Sequence, residues 1–180
     1  MGIMGRRERL SPVDTAWLRM DSKANLMMIV GIYEFASDVD YARLRRRVEH
    51  TMLTHPRFRS RVVEDAAGYA WEIDPDFDLD WHVARTALPG NASTKELKQF
   101  AARLAGTPLD ANRPLWQFHL VDNYAGGKAL VVRIHHCIAD GISLIGVLME
   151  LTAPGPDPDA RDDGPESPGR RSRRRTGGED

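Results

Sequence analysis

The sequence predicts an α+β chain, a mixed sheet with helices packed on it. Three observations carry this: β-branched and aromatic runs of strand length, helical segments with capping signals set between them, and strand pairs joined by turn residues. With 180 residues, 42% of them apolar, the chain is long enough for one domain with its own core. Lys and Arg number 25 against 26 Asp and Glu, a net charge of −1, so the chain as a whole gives no footing for nucleic-acid binding. Cys137 is the single cysteine, which excludes an intrachain disulfide and a Cys-rich zinc pattern and fits a reducing, cytosolic setting. No apolar stretch follows Arg6, Arg7 and Arg9, and nowhere do eighteen apolar residues run together, so neither a signal peptide nor a membrane span is expected.

Ser11-Pro12-Val13-Asp14 supplies an N-cap, a first-turn proline and an acid, predicting a short helix to Met20 that presents Trp17 and Leu18. Residues 26–35 read as a buried strand. Asp38 and Asp40 open a helix to His55, ended by Pro56, with Leu44, Val48 and Met52 as its inner stripe and Arg45, Arg46 and Arg47 on a solvated face. Residues 58–63 and 69–73 alternate as a hairpin around the turn at 65–68. Ser93 and Glu96 form a capping box for a helix to Ala105, whose Leu97, Phe100, Ala101 and Leu104 keep helical spacing, and Thr107-Pro108 ends it. Strands at 116–121 and 128–134 follow, joined by a glycine-containing loop.

Ile142, Leu144, Ile145, Val147, Leu148, Met149 and Leu151 cover most of the circumference of one further helix, which must be buried on most sides. The domain is therefore expected over 1–151. Residues 152–180 turn to Pro, Gly, Asp and Arg and read as a disordered tail or linker. Its arginine run, Arg170-Arg171-Ser172-Arg173-Arg174-Arg175, reads as solvated, with contact to anionic lipid as the lesser reading.

His135, His136, Asp140 and Gly141 stand where an apolar strand ends and an apolar helix begins, a junction that holds side chains rigidly toward a cavity. Three chemistries compete for them. Successive strand side chains point to opposite faces, which argues against His135 and His136 sharing a metal ion. A strand continuing through this point turns Cys137 away from His136, so a small buried residue is a better reading of it than a nucleophile. General-base catalysis remains, since imidazole titrates close to working pH and one histidine suffices. Asp140 can brace the turn through an arginine or backbone donors, and Gly141 permits a close backbone approach.

The run His135-His136-Cys137-Ile138-Ala139-Asp140-Gly141 resembles the HHxxxDG motif of the CoA-dependent acyltransferase superfamily. That superfamily includes chloramphenicol acetyltransferase and peptide-synthetase condensation domains. Leu10-Ser11-Pro12-Val13-Asp14, Pro114-Leu115-Trp116 and Asp80-Trp81-His82-Val83 resemble the bacterial wax ester synthase/diacylglycerol acyltransferase family, and the likeness covers 10 to about 155. It implies a two-layer α/β sandwich, one half of a chloramphenicol-acetyltransferase-like fold, with Pro114, Leu115 and Trp116 supporting the motif or the substrate tunnel.

By the same resemblance His136, beside His135, takes the proton from an acceptor hydroxyl as it attacks a long-chain acyl-CoA thioester, while Asp140 and Gly141 keep the loop in place. The product is triacylglycerol from diacylglycerol or a wax ester from a long-chain alcohol. No metal or resident cofactor is implied, acyl-CoA being a substrate. The family builds its tunnel between two similar halves, and this chain corresponds to the first. The expectation is therefore a homodimer or a separately encoded second half, with peripheral contact at the inner face of the plasma membrane or at lipid droplets. The alternative is a truncated, non-catalytic fragment that acts only as a partner- or lipid-binding half.

Overall fold

A computed structural model describes residues 7–139 together with Gly146, Met149 and Leu151. Asp140, Gly141, most of the expected apolar helix over 142–151 and the tail over 152–180 lie outside the described residues. The elements in order are β1 (Glu8–Arg9), α1 (Pro12–Met20), β2 (Met28–Phe35), α2 (Tyr41–Thr51), a 3-10 turn (Pro56–Arg59), β3 (Ser60–Asp65) and β4 (Gly68–Ile73). Then come α3 (Leu79–His82), β5 (Val83–Thr86), α4 (Thr94–Ala105), β6 (Trp116–Val121), β7 (Lys128–His135) and the short α5 (His136–Ala139). Mixed helices and strands are what the sequence predicts.

Two sheets form, one ordered β1-β4-β3 and the other β2-β7-β6-β5. In the larger sheet β7 runs antiparallel to both β2 and β6, whereas β5 pairs with β6 in parallel, so the sheet is mixed. Strand β7 sits at its centre, and its residues 129–135 are all buried. They divide by strand alternation. Leu130, Val132 and Ile134 join Trp116, Phe118 and Leu120 in the main core with Leu44, Val48 and Met52 of α2. Ala129 and Val131 face the other way, into a smaller core with Leu97 and Ala101 of α4. Helices thus cover both faces of the strand that delivers the histidines. Burying each large apolar side chain contributes about 1.5–3 kcal/mol, and Phe58, Met52, Trp116 and Phe118 are each 0% exposed.

The capping signals are realised. Ser11 caps α1 by accepting from Asp14 N–H, and Ser93 and Glu96 make both bonds of the capping box on α4. Helix α2 stops at Thr51, four residues before the expected end, because Pro56 opens a 3-10 turn that the chain prepares for by leaving the helix early. The hairpin strands begin two residues later than 58 and one earlier than 69, and β2 is a half-buried edge strand beginning at Met28 instead of a fully buried one from 26. The loop between β6 and β7 requires a glycine: Gly127 has φ +124°, and a Cβ there would lie 2.3 Å from the Phe35 carbonyl oxygen. Among the described residues no helix is long and apolar enough to cross a membrane.

Candidate active site

The strand ends at His135 and a helix begins at His136, so the two histidines belong to different elements and leave the chain in different directions. This alters the premise of an uninterrupted strand, but Cys137 still points into the core, where it is fully buried. Burial pushes its thiol well above the ordinary range, with Asp14 adding to the effect, so the thiolate that a nucleophile requires is disfavoured.

His135 is 5% exposed and its bonds assign its tautomer. Its Nδ1 accepts the Cys137 backbone N–H at 3.1 Å, so the ring hydrogen of the neutral form sits on Nε2. Nε2 lies 3.7 Å from Oδ1 of Asp21, just past the end of α1. Burial holds the His135 imidazole below its usual pKa, against the opposing pull of Asp21. Asp21 is itself oriented by accepting the Met27 N–H at 2.7 Å. His135 therefore presents a donor.

His136 is only half-buried, and its ring stacks on Trp17 with centroids 4.5 Å apart and planes 21° from parallel. Its backbone N–H donates to the Met27 carbonyl at 2.9 Å, tying the start of α5 to the segment before β2. No described acceptor engages its ring nitrogens.

Pro114, Leu115 and Trp116 flank the pair. The Leu115 carbonyl accepts the His135 N–H at 2.9 Å, so this segment holds the end of β7 by its backbone. Trp116 is fully buried, its indole N–H donating to the Phe58 carbonyl at 2.8 Å, and its ring packs against His82, centroids 4.4 Å apart. His82, from the Asp80-Trp81-His82-Val83 run, bonds through Nδ1 to the Trp116 carbonyl at 2.8 Å, a packing role away from the histidine pair.

A cavity of about 110 Å³ opens beside His135, walled by Leu18, Leu26, Met28, Leu109 and Leu115, with Asp21 at its polar end. A neighbouring cavity shares Leu18, Ala111 and Leu115 with it and extends toward Val62 and Tyr69 of the smaller sheet. His135 thus stands beside an apolar cavity, whereas His136 is not among the residues that line it. Beneath α1 lies a buried ion pair, Asp14 with Arg57 at 3.2 Å, and the Arg57 guanidinium also lies 5.5 Å from the centre of the Trp71 ring. Asp14, Trp17 and Asp21 are the neighbours of the motif that sequence reasoning did not assign to the site. Their helical spacing on α1 was visible, but its orientation toward residues so distant in the chain was not.

The mixed helix-and-strand fold, with its two sheets, is that of the chloramphenicol-acetyltransferase-like class. The rhizomide synthetase starter condensation domain shares this fold, with a TM-score of 0.65 at 17% identity over 82% of this chain and 36% of that one. Within that class, the chain belongs to the wax ester synthase/diacylglycerol acyltransferase family, whose catalytic-domain model matches residues 10–179. A solved wax ester synthase/diacylglycerol acyltransferase from Marinobacter aquaeolei VT8 superposes with a TM-score of 0.66 at 25% identity, covering 77% of this chain and 35% of that one. A probable diacylglycerol O-acyltransferase of Mycobacterium tuberculosis is 32% identical over 146 residues, 77% of this chain and 54% of the relative. Another from the same organism is 29% identical over 157 residues, 82% of this chain and 35% of the relative. The chain therefore spans from about a third to about half of the length of these proteins.

Proposed function

We propose that this chain carries the general-base half of an O-acyltransferase that moves a long-chain acyl group from acyl-CoA to a lipid hydroxyl, with His136 as the base. The single observation that supports this choice is the bonding of His135. Its Nδ1 is engaged by a backbone donor and its Nε2 bears the hydrogen, whereas no described residue bonds to the ring nitrogens of His136, which makes His136 the better proton acceptor of the two.

In the reaction, the acceptor hydroxyl loses its proton to a ring nitrogen of His136 as its oxygen attacks the thioester carbonyl carbon. The carbon–sulfur bond breaks and the CoA thiolate leaves, collecting the proton from the imidazolium, so acyl-CoA and alcohol become ester and CoA. Thiols leave well, with a pKa of about 8.5, whereas a neutral hydroxyl needs a base, so the histidine serves the harder step. The buried, unionised thiol of Cys137 favours direct transfer within a ternary complex over an acyl-enzyme. His135 acts as a fixed donor beside the cavity, Asp140 and Gly141 keep the motif's loop in place, and Pro114, Leu115 and Trp116 hold the strand end. The acceptor is diacylglycerol or a long-chain alcohol, and no resident cofactor is required. A second half or a second copy completes the passage, and the lipid substrates bring the assembly to a membrane surface or lipid droplet.

The test is ester formation from labelled palmitoyl-CoA offered with diacylglycerol or hexadecanol, followed by mass spectrometry of the lipid products. Labelled triacylglycerol or wax ester that vanishes in His136→Ala supports the proposal. A folded chain that makes neither ester, alone or with a second half supplied, would leave the non-catalytic, partner- or lipid-binding reading in its place.

A further inference from the structure

His136 is held from two sides by parts of the molecule far from it in sequence. Its backbone N–H is bonded to the Met27 carbonyl. Its ring lies against one aromatic face, that of Trp17. The helix that presents Trp17 is firmly anchored: Ser11 caps it, Pro12 opens it, and Asp14 is 1% exposed against Arg57. Trp17 and Leu18 pack on the same core as Cys137 and Ile138, so α1 and α5 share one apolar seam. Yet Trp17 itself stays partly exposed, and its ring partner is the imidazole.

We propose that Trp17 is a positioning residue for His136, its indole face fixing the plane of the imidazole so that a ring nitrogen meets the acceptor hydroxyl edge-on. This rests on the reading of His136 as the base. Stacking occupies a face of the imidazole but leaves its nitrogens, which lie in the ring plane, available. At the same time it restrains rotation about the Cβ–Cγ bond, the freedom that most readily spoils alignment. A general base must sit within hydrogen-bond reach of the proton it removes, and a misplacement of about 1 Å can cost about a hundredfold in rate. Among the described residues, the charged and titratable groups near the pair are His135 from β7, Cys137 from α5, Asp21 and Asp14 from α1 and its end, and Arg57 from the 3-10 turn. None of these is stacked on the His136 ring. An aliphatic residue at position 17 would fill space without holding the ring plane, whereas a phenyl ring would hold it.

Two readouts on the full chain test this, using Trp17→Leu and Trp17→Phe. With histidine isotopically labelled and His136 identified by its loss in His136→Gln, its ring protons should resonate upfield in the wild type, displaced by the indole ring current. Trp17→Leu should return them toward free-histidine positions while the amide spectrum shows the fold intact, and Trp17→Phe should keep part of the displacement. In turnover, Trp17→Leu should lower kcat by about tenfold to a hundredfold with KM for palmitoyl-CoA within about twofold, and Trp17→Phe should restore most of kcat. His136 signals unmoved in Trp17→Leu, or equal losses in the two variants, would overturn the inference. Full ester formation by His136→Ala would instead sink the assignment of the base while leaving the ring-current result standing.

Discussion

His135 and His136 are consecutive, yet one is a buried imidazole with a fixed tautomer and the other is a half-buried ring stacked on an indole. The difference arises because the chain changes from strand to helix between them, so identical side chains enter unlike surroundings. Cys137, one residue on, is fully buried with its thiol held un-ionised. It should resist iodoacetamide in the native chain and react on unfolding, and no acyl adduct should form on it during turnover; an acylated Cys137 by mass spectrometry would replace the ternary-complex mechanism with a covalent one. His82 makes a separate prediction. Burial lowers its pKa from 6.5 to about 4, and burial with Arg133 nearby does the same at His119. Since the unfolded chain binds these protons more readily, the stability they contribute is complete above pH 6.5 and is lost as pH falls toward 4. At His82 the loss amounts to about 3 kcal/mol, and less at the more exposed His119. Urea unfolding between pH 7.5 and 4.5 should show this acid limb, and His82→Gln should shrink it. At this scale the sequence made the histidine pair legible through its motif and its setting between apolar runs. Trp17 and Asp21 were not legible as its companions, because their contact depends on how α1 lies across the end of β7, and no local spacing encodes that.

Among the elements, α1 and α4 are written in the sequence by their caps and period, β6 by the alternation of Trp116, Phe118 and Leu120 with Gln117 and His119, and β7 by its apolar run from Ala129 to Val132. Strand β5 is not, because only four residues form it and its parallel partner β6 lies some thirty residues on, beyond the intervening α4. Strand β1 has two residues and exists through its pairing with β4, for which local propensity offers no sign. Two substitutions probe how these elements are held. Gly127→Ala forces a side chain into a left-handed backbone conformation and toward the Phe35 carbonyl. It should destabilise the chain by about 2 kcal/mol or more in urea unfolding. Arg57→Met strands the carboxylate of Asp14 beneath α1, at a cost of about 3 kcal/mol. Adding Asp14→Leu should recover part of that loss, and a strictly additive double variant would show that the pair is not coupled.

Over the whole molecule, the two cores place helices on both faces of β7, giving a rigid support for the histidines, with an apolar cavity beside His135. The chain covers only part of the length of its family relatives, and α1 leaves Val13 and Met20 about half exposed next to the site, with Met149 67% exposed. Exposed apolar side chains on the helix that carries Trp17 suit an interface. Light scattering of the purified chain should give a mass above that of the monomer, lowered by Val13→Glu with Met20→Glu; a strictly monomeric chain would contradict association through this face. The central claim is that His136, and not its neighbour, removes the acceptor's proton. The most direct measurement is acceptor-dependent release of CoA thiol from palmitoyl-CoA by the wild type, His136→Ala and His135→Asn, measured side by side in the assembly that shows turnover. His136→Ala should lose about a hundredfold or more of kcat, as removal of a general base does, while His135→Asn should retain a larger share. Release that survives in His136→Ala and disappears in His135→Asn would contradict that claim.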